Sequence, residues 1–281
     1  VTGPLVLKLG GELLETSAAR ESLAHMVRAL VSSRPVAIVH GGGRAIDAEL
    51  ARRGVAPKKV DGIRVTDAPT LEAVVAVLAG TANTDLVAAL VVAGVRAVGL
   101  TGVDAAMGEA QRSRALQPAS SGSAPVDLGL VGDPTDVDPS LVELLMTQGY
   151  VPVIASLGIE SGPSGAGVLN VNADVMACRL AAALGSELII AGTTAGVLDA
   201  AGVLLPALTI AGMAALIDDG TATAGMVAKL RACREALEDG VPSVRLVDGR
   251  GFGVGVDPAV LPGTTLTRVA AHEAAKAMEH R

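Results

Sequence analysis

The sequence predicts an α/β protein built on a largely parallel sheet, and three observations carry that prediction. Residues 5–14, Leu-Val-Leu-Lys-Leu-Gly-Gly-Glu-Leu-Leu, are a short apolar run that delivers Lys8 and then two glycines, the pattern of a buried strand with its chemistry at the C-terminal tip. Residues 36–39 repeat the pattern and end in His40-Gly41-Gly42-Gly43. Between them, residues 18–32 set Leu23, Met26, Val27 and Leu30 at helical spacing, so strand, helix and strand form the crossover unit of a parallel pair. Two consecutive strands that end in glycine clusters line one crevice at the carboxyl edge of the sheet, where open α/β sheets bind ligands. Gly10 and Gly11 lack a Cβ, so a polyanion can approach their backbone N–H groups while Lys8 supplies a charge beside them.

Composition supports the same class. Half of the 281 residues are hydrophobic, yet Phe and Tyr occur once each and Trp is absent, so the core is assembled from Ala, Val, Leu and Ile. Ala and Leu favour helices and Val and Ile favour strands, which suits an alternating chain. The net charge of −7, with no basic stripe and no interleaved aromatics, argues against nucleic-acid binding. Cys178 and Cys233 lie in separate helical patterns and read as buried, reduced thiols. No signal peptide precedes Leu5, and Gly or charge interrupts each apolar run before it reaches a bilayer's thickness; a cytoplasmic protein without membrane contact is expected.

The remaining elements follow in order. Residues 44–53 leave the triglycine as a helix, and 58–66 alternate around Gly62 as a ribbon over the crevice that presents Arg64. Helices over 70–78 and 84–93 are expected with a break at Gly80-Thr81-Ala82-Asn83, then a strand over 97–100. Residues 105–124, with Gln, Ser, Pro and Gly dispersed among alanines, read as a loop or ribbon. A short apolar segment (128–132), a helix begun by Pro139 (139–148) and a strand (151–155) come next. Glycines over 158–167 mark a hairpin tip, after which 168–174 open a helix over 175–184. A strand over 188–191 ends in Gly192-Thr193-Thr194-Ala195-Gly196; a short helix (213–218), a Thr/Gly loop (220–225), a helix carrying Lys229 (226–238), a strand (244–247) and an alanine-rich helix (269–281) complete the chain. The division expected is an N-terminal lobe, 1–174, and a C-terminal lobe, 175–281.

The motifs Lys-Leu-Gly-Gly (8–11), Val-His-Gly-Gly-Gly (39–43), Gly-Ile-Arg-Val-Thr-Asp (62–67), Gly-Thr-Ala-Asn (80–83), Asn-Val-Asn-Ala-Asp (170–174) and Gly-Met-Val-Ala-Lys (225–229) run in one order over nearly the whole chain. In that order they resemble the amino-acid kinase family, and within it the kinases that phosphorylate N-acetylglutamate in arginine biosynthesis. The resemblance implies a three-layer α/β/α sandwich with a largely parallel central sheet. It implies transfer of the ATP γ-phosphoryl group to the side-chain carboxylate of N-acetyl-L-glutamate, with acetylglutamate held by the first lobe and ATP by the second. A carboxylate nucleophile is already ionised at neutral pH, so the reaction needs positioning and charge stabilisation and no general base.

Residue by residue, Lys8 and Lys229 match the family's phosphoryl-stabilising lysines, and Asp174 the acidic residue that orients them. Gly42, Gly43, Arg64 and Asn170 match the acetylated-amino-acid site, where an arginine fork suits a carboxylate and an asparagine suits an acetamido group. Gly10, Gly11, Thr193, Thr194, Gly196, Thr221, Thr223, Gly225 and Met226 fall on the nucleotide side. Mg²⁺ is implied by ATP and bridges phosphate oxygens, so no protein ligand is assigned to it. His40 reads as structural. Two departures lie on the ATP side: Thr193 stands where the family usually has aspartate, and Ala224 where it has Asp or Gly. They motivate an alternative, a kinase-like binding or regulatory protein with impaired ATP use; another alternative keeps the chemistry and changes the acceptor to one such as N-acetylaminoadipate. Arginine-inhibited members carry an extra N-terminal helix, and only residues 1–4 precede the first strand here. The resemblance is therefore to the homodimeric, arginine-insensitive members.

Overall fold

A computed structural model describes residues 3–116, 124–160, 167–222 and 224–269. The period of two along the first strand decides the layering. In β1 (Leu5–Leu9), the side chains of Leu5, Leu7 and Leu9 enter one core with Leu23, Met26, Val27 and Leu30 of α1 (Ser17–Val31). Val6 enters the opposite core, and Lys8, two residues on, falls on the Val6 side. Each fully buried leucine contributes about 1.5–3 kcal/mol, so this alternation is strongly specified.

The chain continues through β2 (Val36–His40), α2 (Gly43–Arg52), the ribbon β3 (Lys59–Val60) and β4 (Ile63–Arg64), then α3 (Ala68–Val75), a π-helical segment (Ala76–Ala82), α4 (Asn83–Val92) and β5 (Ala97–Thr101). Next come β6 (Gly108–Arg112), β7 (Val131–Val137), α5 (Ser140–Thr147), β8 (Val151–Ala155), β9 (Leu157–Glu160), β10 (Gly167–Val171) and α6 (Ala173–Ala183). The last part holds β11 (Glu187–Gly192), β12 (Ala207–Thr209), α7 (Ile210–Asp218), α8 (Ala224–Glu238), β13 (Val244–Asp248) and β14 (Gly263–Thr267).

One eight-stranded sheet runs in the order β12-β14-β13-β11-β1-β2-β8-β5, and every pair in it is parallel except β13 with β14. Helices α1 and α4 contribute to the core on one face of β1, and α6 and α8 to the core on the other, which makes the three-layer sandwich. Because β1 pairs with β11, both expected lobes share this sheet. Strands β6, β7, β9 and β10 close a small barrel beside it.

Several expectations are corrected. Gly80-Thr81-Ala82-Asn83 does not break the helix: Ala68–Val92 runs unbroken through the π segment. Across the wider turn Val74, Val77 and Leu78 stay buried in a cluster with Ile46 and Leu50 of α2, and Leu86 and Leu90 in the core shared with α1. By length and composition alone this 25-residue helix could cross a bilayer, which removes the expectation that every apolar run is too short. Residues 105–124 contain a strand, β6, because their backbone pairs with β7. Residues 168–171 are a strand, and α8 begins at Ala224, so Gly225 belongs to the helix instead of the loop. The flanks of the 158–167 hairpin pair antiparallel as β9 and β10. Its tip, the helix expected over 269–281 (beyond Val269) and Thr223 lie outside the described residues.

His40 ends β2 fully buried. Its Nδ1 donates to the Gly41 carbonyl at 3.2 Å, and its Nε2 accepts from the Asn83 amide at 3.0 Å, so the ring is a satisfied neutral imidazole. Asn83, placed by the π segment, also donates to the Val153 carbonyl at 2.9 Å. Burial pushes the His40 pKa down to about 4, against a partial upward pull from the Gly41 hydrogen bond. Between that value and the ordinary 6.5 the unfolded chain binds a proton that the native state refuses, so stability falls as pH falls. Urea unfolding at pH 6.5 and 5 should show a loss of about 2 kcal/mol. A flat profile over that interval would mean that the ring accepts a proton without unfolding.

Candidate active site

The site forms where the carboxyl ends of β1, β2, β10 and β11 meet the N-termini of α6 and α8. Lys8 leaves the centre of the sheet on the α6 side. Asp174 is the second residue of α6, whose first turn is capped by Asn172: the Asn172 Oδ1 accepts from the backbone N–H of Asp174 at 2.8 Å and of Val175 at 3.3 Å. A carboxylate there suits the positive end of the helix dipole. Lys229 lies in the second turn of α8.

These three side chains meet. The Lys8 Nζ lies 2.8 Å from Asp174 Oδ1, and the Lys229 Nζ lies 2.5 Å from Asp174 Oδ2. Side-chain exposures of 11%, 16% and 20% for Lys8, Asp174 and Lys229 exclude the solvated-surface reading for all of them. Burial alone would raise the Asp174 pKa, but the two ammonium charges and their hydrogen bonds outweigh it and hold the carboxyl well below the usual range. Burial would lower the Lys229 pKa, and Asp174 reverses that as well, leaving it above the ordinary value. Asp174 therefore stays ionised down to strongly acid pH and keeps Lys229 charged at neutral pH.

Beside the triad opens a cleft of about 330 Å³, lined among others by Arg64, Ser113, Val131, Asn170, Asp174, Gly225 and Lys229. Arg64 is 7% exposed; its Nη2 pairs with Asp47 Oδ1 at 2.5 Å and donates to the Gly43 carbonyl at 3.2 Å, while its buried Nη1 has no hydrogen-bond partner. A buried guanidinium nitrogen left open in this way is a place for an anionic ligand oxygen. Asn170 donates through Nδ2 to the Thr66 hydroxyl at 3.1 Å, which leaves its Oδ1 to accept. The predicted acceptor-side residues thus gather: Arg64 and Asn170 line the cleft, and Gly43 touches Arg64.

The glycine clusters meet too. A Cβ on Gly11 would lie 2.7 Å from Gly42 Cα, so the first strand's tip passes the second's only because Gly11 is bare, while a Cβ on Gly42 would meet Leu78 Cδ2 at 2.9 Å. A Cβ on Gly10 would lie 2.5 Å from Glu12 Oε1, which also approaches Gly192, at 3.4 Å from where its Cβ would stand. Glu12 therefore rests at the C-terminal tip of β1 beside Gly10 and Gly192, a feature that the sequence pattern did not single out.

The remaining nucleotide-side residues are more scattered. Thr194 borders a small recess with Gly192 and Lys229, and Thr193 is exposed beside it. Gly196 has a packing reason: with φ at +141°, its Cβ would meet Thr264 Oγ1 at 2.5 Å. Thr221 follows α7 and its N–H donates to Asp219 Oδ1 at 2.8 Å, and Met226 packs partly buried against the α6–α8 core. Among the described residues no three His, Cys, Asp or Glu side chains gather as a metal site. The sequence reading also missed Asp47, Asn83 and Ser113. Asp47, four residues beyond Gly43 on α2, was signalled only by its place on the helix face that follows the triglycine.

Residues 3–248 match the amino acid kinase family, and the chain belongs to that family. It is 41% identical to an acetylglutamate kinase from Solibacter usitatus over 251 residues, covering 89% of this chain and 92% of that one. It is also 41% identical to an acetylglutamate kinase from Chromobacterium violaceum, over 88% of this chain and 84% of the other. Among solved structures, N-acetylglutamate synthase from Neisseria gonorrhoeae in complex with coenzyme A and N-acetyl-glutamate superposes with a TM-score of 0.79 at 22% identity; the match covers 95% of this chain and 60% of the synthase, and at that identity it speaks for the fold.

The triad's electrostatics can be checked without turnover. In Asp174→Asn the burial that remains should carry the Lys229 ammonium from above the ordinary lysine pKa to below it. NMR titration of labelled lysine Nζ would read this directly, and an unmoved pKa would show that Asp174 does not set the charge of Lys229.

Proposed function

We propose that this protein is an N-acetylglutamate 5-kinase, which transfers the γ-phosphoryl group of ATP to the side-chain carboxylate of N-acetyl-L-glutamate. The observation that carries it is the triad: two largely buried lysines paired to the two oxygens of one carboxylate at the edge of a cleft with an open arginine nitrogen. The two acetylglutamate kinases at 41% identity over most of the chain support the acceptor.

In this reading Arg64 takes the α-carboxylate, and Asp47 holds its guanidinium in place. The Asn170 Oδ1 accepts the acetamido N–H. Gly11 of the first tip, with Gly42 and Gly43 of the second, offers backbone N–H groups to the phosphates and the acceptor, and Gly10, whose own N–H is held by the Ala191 carbonyl, lets the phosphates come close. Lys8 and Lys229 stabilise charge on the transferring phosphoryl oxygens, and Asp174 orients both. Thr193, Thr194, Gly196, Thr221, Thr223, Gly225 and Met226 complete the nucleotide side of the second lobe, and the acceptor belongs to the first. No side chain is asked to remove a proton, because the acceptor carboxylate is ionised at neutral pH. Magnesium fits as an ion carried by the nucleotide's phosphate oxygens, since Asp174 is committed to two ammoniums; when bound it neutralises phosphate charge. A cytoplasmic homodimer completes the proposal, on the family resemblance.

A hydroxamate assay with ATP, magnesium and N-acetylglutamate tests the activity. Lys8→Ala and Lys229→Ala should each lower kcat by about 10²–10³-fold. Normal turnover in either variant would remove that lysine from the mechanism, and no turnover by the unaltered protein with any N-acetylated dicarboxylate would overturn the reading itself. Arg64→Lys should raise KM for N-acetylglutamate far more than it lowers kcat, because lysine lacks the planar fork. An unchanged KM would place the α-carboxylate elsewhere.

A further inference from the structure

Besides Arg64 Nη1 and Asp174 Oδ1, the latter already ion-paired to Lys8, a third buried polar atom at the cleft lacks a hydrogen-bond partner: the Oγ of Ser113, which follows β6. The register of the small barrel locates it. The Ser113 N–H donates to the Val131 carbonyl at 2.9 Å, continuing the antiparallel β6–β7 ladder, and Val131 pairs with Asn170 across β7 and β10. Ser113, Val131 and Asn170 therefore form one row across three adjacent strands, and residues opposite each other in a ladder project to the same face. All three line the cleft.

We propose that Ser113 is a further substrate-binding residue, whose hydroxyl donates to the carbonyl oxygen of the acceptor's N-acyl group while Asn170 accepts its N–H. The inference rests on the acceptor reading given above and adds the second half of amide recognition to it. A trans amide presents N–H and C=O in opposite directions. Two hydrogen bonds of about 2.9 Å and the amide between them span about 8 Å. Backbones two strands apart are separated by about 9.5 Å, and the two short side chains close the difference. Asn170 is constrained to the acceptor role, because Thr66 takes its N–H. Ser113 is free to be the donor, since its hydroxyl rotates about one bond and no side chain or backbone group among the described residues claims it. Val131, between them in the row and largely buried, offers the acyl methyl an apolar floor.

An orphaned buried hydroxyl does not stabilise the unliganded fold, so Ser113→Ala should leave the midpoint of urea unfolding unchanged or raise it. The same variant should raise KM for N-acetylglutamate about three- to tenfold, the worth of one neutral hydrogen bond, with KM for ATP and kcat unchanged. Ser113→Thr, which keeps the hydroxyl, should return KM toward that of the unaltered protein. A Ser113→Ala enzyme with unaltered acceptor KM overturns the proposal while the kinase assignment stands, and so does one whose two KM values rise together. Failure of the unaltered protein to phosphorylate any N-acetylated dicarboxylate removes the acceptor reading and this inference with it.

Discussion

The rest of the structure depends on burying two lysines within reach of one another. Two ammonium groups drawn to one carboxylate repel one another, and each also loses hydration. Asp174 makes the arrangement stable by taking one ammonium on each oxygen. The fold supplies the three groups from three places: a central strand, the first turn of α6 and the second turn of α8. One helical turn further along each helix stand Cys178 and Cys233, both buried and free. Their mutual hydrogen bond and their burial push the Cys178 thiol well above its ordinary pKa, so the pair serves as small, unreactive packing that lets α6 and α8 approach beneath the ion cluster.

The same economy applies at the tips of β1 and β2. Gly11 and Gly42 pass at a distance no side chain tolerates, which brings backbone N–H groups from two strands to one crevice. His40 stands immediately before that crevice and would suggest a base to a reader of sequence alone. Its Nε2 is occupied by Asn83, its Nδ1 by a carbonyl, and its pKa is held near 4 by burial, so it anchors the glycine loop instead of handling protons. With His40 unavailable as a base, the site suits a reaction whose nucleophile arrives ionised.

What could be read in advance was what depends on local pattern. Lys8, Gly10 and Gly11 were legible because an apolar run ended by glycines defines a strand tip, and Asp174 because the Asn-Val-Asn-Ala-Asp run resembles the family's motif. The π segment was not legible: Gly80 is a helix breaker by propensity, and only the tertiary bonds of Asn83 to His40 and Val153 show why the helix continues. Strand β6 was hidden because its Gly-Glu-Ala-Gln-Arg sequence carries no strand propensity and is a strand through pairing with β7. Asp47 and Ser113 escaped for a related reason, since each matters through a partner or a row supplied by another element. The exposed Thr193 stands where the family usually has aspartate, which a motif comparison can register and geometry alone does not interpret.

The triad also explains why the acidic residue is a hub and the basic ones are lysines. An ammonium has three donors and no fixed plane. Asp174 engages each lysine through one oxygen, so each Nζ retains donors for a second anion without leaving the first. An arginine fork would spend its geometry on the aspartate, as Arg64 does in pairing with Asp47 while keeping only Nη1 open. At Arg64 that rigidity suits a ligand group that stays where it binds. In the proposed reaction the charge at Lys8 and Lys229 follows a phosphoryl group from one oxygen to another, and a rotatable ammonium held at a fixed root accommodates that movement without breaking its bond to Asp174.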